Sequence, residues 1–127
     1  MELPAGKYWI GDPCYVIDDT LWDEFVKVSL HNHKSVPVTE FEGLEMFADG
    51  TSYGDDVYPG TNGFEYGVDS GMLSVVPVAL CENAHAEDCG TFVEFKKPFE
   101  AYEENGVFHF GHIDIDTRMK VDEEETA

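Results

Sequence analysis

Positive charge is what this chain has least of. Seven Lys and Arg stand against 27 Asp and Glu, a formal charge of -20 over 127 residues. Such a field repels nucleic acid and anionic membranes, so direct binding to either is set aside, and it attracts basic protein surfaces or cations. No run of about eighteen apolar residues is present, which excludes a hydrophobic membrane helix. The opening Met1-Glu2-Leu3-Pro4 lacks a basic stretch followed by an apolar one, so no secretion signal is expected. Cysteine is sparse and odd in number, with Cys14 far from Cys81 and Cys89; a reduced, cytoplasmic setting is the expectation. Also missing are a Ser-His-Asp order, a phosphate-cradling glycine loop and a helical His-Glu motif.

What is present is core-forming material. Hydrophobic residues make up 43% of the chain and aromatics 13%, enough for one packed domain without staples. The expected domain spans 1–121, and the like-charge run Asp122-Glu123-Glu124-Glu125 marks a frayed tail over 122–127. Leu21, Trp22, Phe25, Val26 and Leu30 recur at helical spacing. Asp18, Asp19 and Thr20 are cap candidates (Thr20 with Asp23 as a capping box), and His31, His33 and Lys34 follow at the C-terminal end. Elsewhere the pattern is strand-like. Gly6–Ile10 opens a strand that Tyr15–Ile17 resumes, Phe41 to Phe47 forms another with a break at Gly43, and Met72–Leu80 reads as central. Asn62-Gly63 and Asn105-Gly106 signal two-residue hairpins. The predicted fold is α+β and mainly β: an antiparallel sheet, as a sandwich or half-barrel, with one amphipathic helix packed on it.

Three turns built on aspartate carry the functional argument: Gly11-Asp12-Pro13-Cys14-Tyr15, Tyr53-Gly54-Asp55-Asp56 and Val68-Asp69-Ser70-Gly71. If they converge, Asp12, Asp55 or Asp56, and Asp69 make an oxygen-lined pocket. Ser70 would then serve as a donor, with Tyr15, Tyr53, Tyr58 and Tyr66 as flat walls. That pocket would suit a divalent cation or a polar ligand. Taken singly, Asp-Pro and Asp-Gly turns cap their own backbone amides. A zinc site at Cys81, His85 and Cys89 matches no standard spacing and is not favoured over an acidic loop. His109, His112, Asp114 and Asp116 can pair as bases or ligands if no bulge at Gly111 turns them apart.

The order Ile10-Gly11-Asp12-Pro13-Cys14-Tyr15-Val16, Tyr53-Gly54-Asp55 and Val68-Asp69-Ser70-Gly71, with Phe92–Phe95 and Phe108–Gly111, resembles a group of small uncharacterised bacteriophage and bacterial proteins. In that group the second motif reads Gly-Asp-Gly, where this chain has Asp56. The resemblance implies a viral or mobile-element setting, a β-rich fold and a shared pocket at these turns, and it brings no activity with it. The leading functional expectation is a non-enzymatic acidic binding or inhibitor protein acting on a host defence or nucleic-acid-handling protein, in part by nucleic-acid mimicry. Carboxylates at i and i+2 on one strand face, as at Glu40 and Glu42, lie roughly 7 Å apart, close to the ~7 Å phosphate spacing of a single strand. The alternatives are a sponge holding a nucleotide-derived signal between tyrosines and aspartates, and a metal-dependent hydrolase using Asp12, Asp55 and Asp69.

Overall fold

The computed structural model describes residues 1–31, 34–81 and 86–118. In chain order these form β1 (Glu2–Leu3), β2 (Gly6–Gly11), α1 (Asp19–Val28), β3 (Leu30–His31), β4 (Lys34–Ser35), β5 (Val38–Phe41) and β6 (Leu44–Gly50). There follow β7 (Val57–Pro59), β8 (Glu65–Gly67), β9 (Met72–Pro77), the single-turn α2 (Ala86–Cys89), β10 (Gly90–Phe95), β11 (Phe99–Glu104), β12 (Val107–Phe110) and β13 (Ile113–Asp116). Every pairing is antiparallel. One sheet runs β10-β2-β9-β6-β5, another β1-β11-β12-β13, and β3-β4 and β7-β8 are short ribbons. The protein is therefore mainly β and a sandwich; its sheets do not close into a barrel.

The period-two rule explains the layers. Tyr8 and Ile10 on β2, Phe47 on β6, Leu73 and Val75 on β9 and Phe95 on β10 point into the space between the sheets. There they meet Leu3, Phe99, Ala101, Phe108, Phe110, Ile113 and Ile115 from the other sheet. The alternate residues Trp9, Met46, Ala48, Met72 and Val76 face the opposite way and are covered by Phe25 of α1 with Val16, Ile17, Val38 and Phe41. Both faces of β9 are thus buried, which is why Met72–Pro77, in the middle of its sheet, is apolar except for Ser74, whose hydroxyl donates to Gly11 O at 2.7 Å. Phe25 fixes the helix by an edge contact to Phe41 at 5.1 Å and a stack on Trp22 at 5.4 Å.

Local chemistry differs from the sequence reading at several points. The helix is capped by Asp18, whose carboxylate accepts from Thr20 N–H at 2.9 Å, rather than by a Thr20 capping box. It stops at Val28, so His31 belongs to β3; His33, like the acidic 122–127 tail, lies outside the described residues. Tyr15–Ile17 does not resume β2, because Pro13–Tyr15 folds into one 3₁₀ turn capped by Asp12. Glu42-Gly43 is not a break within a strand but the two-residue turn joining β5 to β6, with φ of 53° and 78°. Asn105-Gly106 makes the anticipated turn. Around Asn62-Gly63 the loop is longer, a Gly60–Gly63 turn in which Gly63 alone takes positive φ.

One close approach shapes the sheet beside the first aspartate turn. Gly11 and Gly90 face each other across β2 and β10, and the Trp9 indole lies over both. A Cβ at Gly90 would sit 2.3 Å from Trp9 Cζ2 and from the Ile10 carbonyl oxygen, so only glycine fits.

Candidate functional site

The three aspartate turns do meet, at one end of the five-stranded sheet where β2 leaves it and β9 enters. Asp12 is the keystone and is fully buried. Its Oδ1 accepts from Cys14 N–H at 2.9 Å and from the Ser70 hydroxyl at 2.6 Å. Its Oδ2 accepts from the backbone N–H groups of Asp69 and Ser70 at 2.6 and 2.7 Å. Four donors on one carboxylate compensate for the loss of water that burial imposes. Pro13 locks the chain after Asp12 into the 3₁₀ turn that presents Cys14 N–H.

The middle turn joins through its backbone. Thr51 N–H donates to Gly71 O at 2.9 Å, the Thr51 hydroxyl to Gly54 O at 2.7 Å, and Val68 N–H to Asp56 O at 2.8 Å. Ser52 N–H donates to the buried Thr117 hydroxyl at 3.0 Å, tying this loop to the four-stranded sheet. Asp55 stays exposed, with Oδ1 only 3.9 Å from where a Gly71 side chain would begin. Asp56 bonds its own turn, Oδ1 accepting from Val57 N–H at 2.8 Å.

The tyrosines divide. Tyr15 donates its hydroxyl to Asp69 in a short hydrogen bond at the open rim, and burial together with that bond to Asp69 pushes its phenol upward. Tyr53 is exposed. Tyr58 and Tyr66 belong to the core: the Tyr58 hydroxyl donates to Gly54 O at 2.9 Å, and that of Tyr66 is engaged by Asn62 Nδ2 at 2.9 Å and the Thr91 hydroxyl at 2.7 Å. They are not walls of an open pocket. Of the eight candidate residues, then, Asp12, Asp69, Ser70 and Tyr15 form one hydrogen-bonded cluster, Asp55 and Tyr53 stand on the adjoining loop, and Tyr58 and Tyr66 lie within. Beside the cluster, Ser70, Gly71 and Met72 face Trp22, Val26, Ser29 and Leu30 of the α1 region across a groove of about 390 Å³.

Cys14 and Cys89 lie near the same aspartates. Burial, reinforced by Asp12 and then Asp69, pushes the Cys14 thiol far upward; burial, then Asp88, Asp69 and Asp12, raises Cys89. Burial alone pushes Cys81 up to about 12. Such thiols are protonated near neutrality and are poor nucleophiles. His85 lies outside the described residues, and among those described no three His, Cys, Asp or Glu groups are placed to hold a metal.

On the outer face of the four-stranded sheet, His109 is opposite Asp114 and bonds it through Nδ1 at 2.8 Å, while its ring stacks on Tyr102 at 4.6 Å. Gly111 and His112 form the turn between β12 and β13, which removes His112 from that face. Here the strand register brings together what the linear sequence leaves apart. Glu2 is directly opposite Glu100 and Glu40 opposite Glu45, all exposed, with the Met1 ammonium 3.9 Å from Glu100. The alternation of β11 could have shown that Glu100, Tyr102 and Glu104 share a face; the facing glutamate pairs required the register. The chain matches no protein-family model, no curated protein and no solved structure. Among the described residues, no helix is long and apolar enough to cross a membrane.

Proposed function

We propose that this chain is a non-enzymatic acidic binding protein whose carboxylate surface occupies a basic, nucleic-acid-handling face of a host protein. The setting we assign is a bacteriophage or mobile element expressed in the bacterial cytoplasm, with a defence protein as the preferred target. One observation carries the reading: like charges are placed directly opposite one another at two separate sheet edges, Glu2 with Glu100 and Glu40 with Glu45. Such pairs oppose folding. A chain with 27 acids and 7 bases that keeps them uses its charge between molecules rather than within one. The alternative roles draw less support from the turns, because the carboxylate of Asp12 is already filled by four protein donors and Tyr58 and Tyr66 are core residues.

The test is capture of a partner from bacterial lysate, followed by competition against the nucleic acid that partner binds. Mimicry predicts mutually exclusive binding and an affinity that falls steeply with added salt, since exposed charges are screened over roughly 8–10 Å at physiological ionic strength. A stable ternary complex with nucleic acid, or an affinity indifferent to salt, would overturn it.

A further inference from the structure

Among the described residues the two sheets of the sandwich end in four edge strands, and three of them are guarded. On β5 the register slips between Val38 and Glu40, Pro37 immediately precedes the strand, and Glu40 is exposed on it. β1 is only two residues long. β13 is met by Gly60 through a bridge to Ile115 and by Thr61 N–H donating to Asp114 O at 2.9 Å. Bulges, proline, charge, brevity and cover are the devices that keep edges from pairing with another chain. β10 differs. Its six residues pair with β2 in unbroken register, without proline or bulge, and among the described residues no second strand lies along its other side.

The side chains there also favour contact. Phe92 is 52% exposed in the middle of the strand with Val78 exposed nearby, and the two line a cavity of about 380 Å³ with Lys7, Val93 and Glu94. Three of the seven basic residues are exposed here, Lys96 and Lys97 just past the strand and Lys7 on β2 opposite Glu94. The strand ends are complementary, exposed Asp88 just before it and Lys96 and Lys97 just after.

We propose that β10 is a self-association edge, through which two copies of this chain join antiparallel about a two-fold axis at Phe92. A two-fold contact needs a patch complementary to itself, and this strand is one when reversed. In that register Phe92 faces Phe92 of the second copy and Glu94 faces Gly90, while Lys96, just past the strand, approaches the end of α2 that carries Asp88. The aromatic cross-strand pair and the continued backbone ladder supply the attraction. The exposed Lys7, Lys96 and Lys97 lessen the repulsion between two molecules of charge -20 at this edge.

Sedimentation velocity on the full chain over a concentration series tests this, with hydrogen exchange of the Thr91–Phe95 amides as the local readout. The expected result is a reversible dimer whose β10 amides gain protection as concentration rises. Phe92→Glu and Lys96→Glu should each raise the dissociation constant by about tenfold. Asp88→Lys combined with Lys96→Glu should restore it, a rescue that keeps the test decisive if Phe92→Glu fails to fold. A monomer at every soluble concentration, a dimer untouched by these substitutions, or β10 protection independent of concentration, which would mean that the chain covers its own edge, would each overturn the proposal.

Discussion

Asp12 and Glu40 are both carboxylates at the margin of the same sheet, and they work in opposite senses. Asp12 is sealed from water and gathers four donors from two turns some 58 residues apart in sequence. Glu40 is exposed and faces Glu45, a neighbour of its own sign. One holds the fold together and the other strains it. An acidic composition is therefore not one property but two, and only burial and partners tell them apart.

Breaking the first member gives the largest effect. Asp12→Ala strands three backbone N–H groups and a hydroxyl, and should lower stability by about 3–5 kcal/mol in urea unfolding. Asp12→Asn should recover only part of that, since an amide offers one acceptor oxygen where two are used. Next comes Ser70→Ala, which deletes one charge-assisted bond at 2.6 Å and should cost about 1–2 kcal/mol by the same measurement. The smallest shifts belong to the second member. Glu45→Lys or Glu2→Lys, each turning a facing pair from repulsive to attractive, should raise stability by a few tenths of a kcal/mol up to about 1. Partner affinity and its salt dependence should fall in the same variants. If both also lost stability, the contrast drawn between the two kinds of carboxylate would collapse.

Proton linkage sharpens the contrast at high pH. The folded-state thiols of Cys14 and Cys81 and the Tyr15 phenol are all shifted upward. The unfolded chain therefore releases these protons first, and the native state binds more of them. Stability is fully present below the ordinary thiol value of about 9 and declines as pH rises toward the folded values. Asp12→Ala should flatten part of this decline, because Asp12 contributes to the Cys14 and Tyr15 shifts. Alkylation should be slow in native protein at pH about 8 and fast in denaturant, as read by mass spectrometry.

Much of the architecture was legible because single residues announce it. The Asn105-Gly106 turn follows from two residues that tolerate positive φ, and the central place of the Met72–Leu80 run from its mostly apolar side chains, although the strand ends at Pro77 and Val78–Leu80 forms a 3₁₀ turn. The Glu42-Gly43 turn was misread because glutamate seldom adopts the φ of 53° it has here, which leaves no local signal. The site was half legible. Aspartate beside proline or glycine marked the turns, yet the filling of Asp12 by the amides of Asp69 and Ser70 is a long-range event that no window of sequence contains. The same holds for the facing glutamates, which exist only once a register is chosen.

The glycine cleft that receives Trp9 has a practical consequence. Its indole is wholly enclosed against Gly11 and Gly90, one residue from the Asp12 turn on β2 and at the root of β10, whereas Trp22 is only half-buried. Replacing Trp22 with phenylalanine would leave a lone tryptophan, in an apolar cage. Loosening of the turn, or pairing of the neighbouring strand with another molecule, would then register as a change in its emission without any attached label.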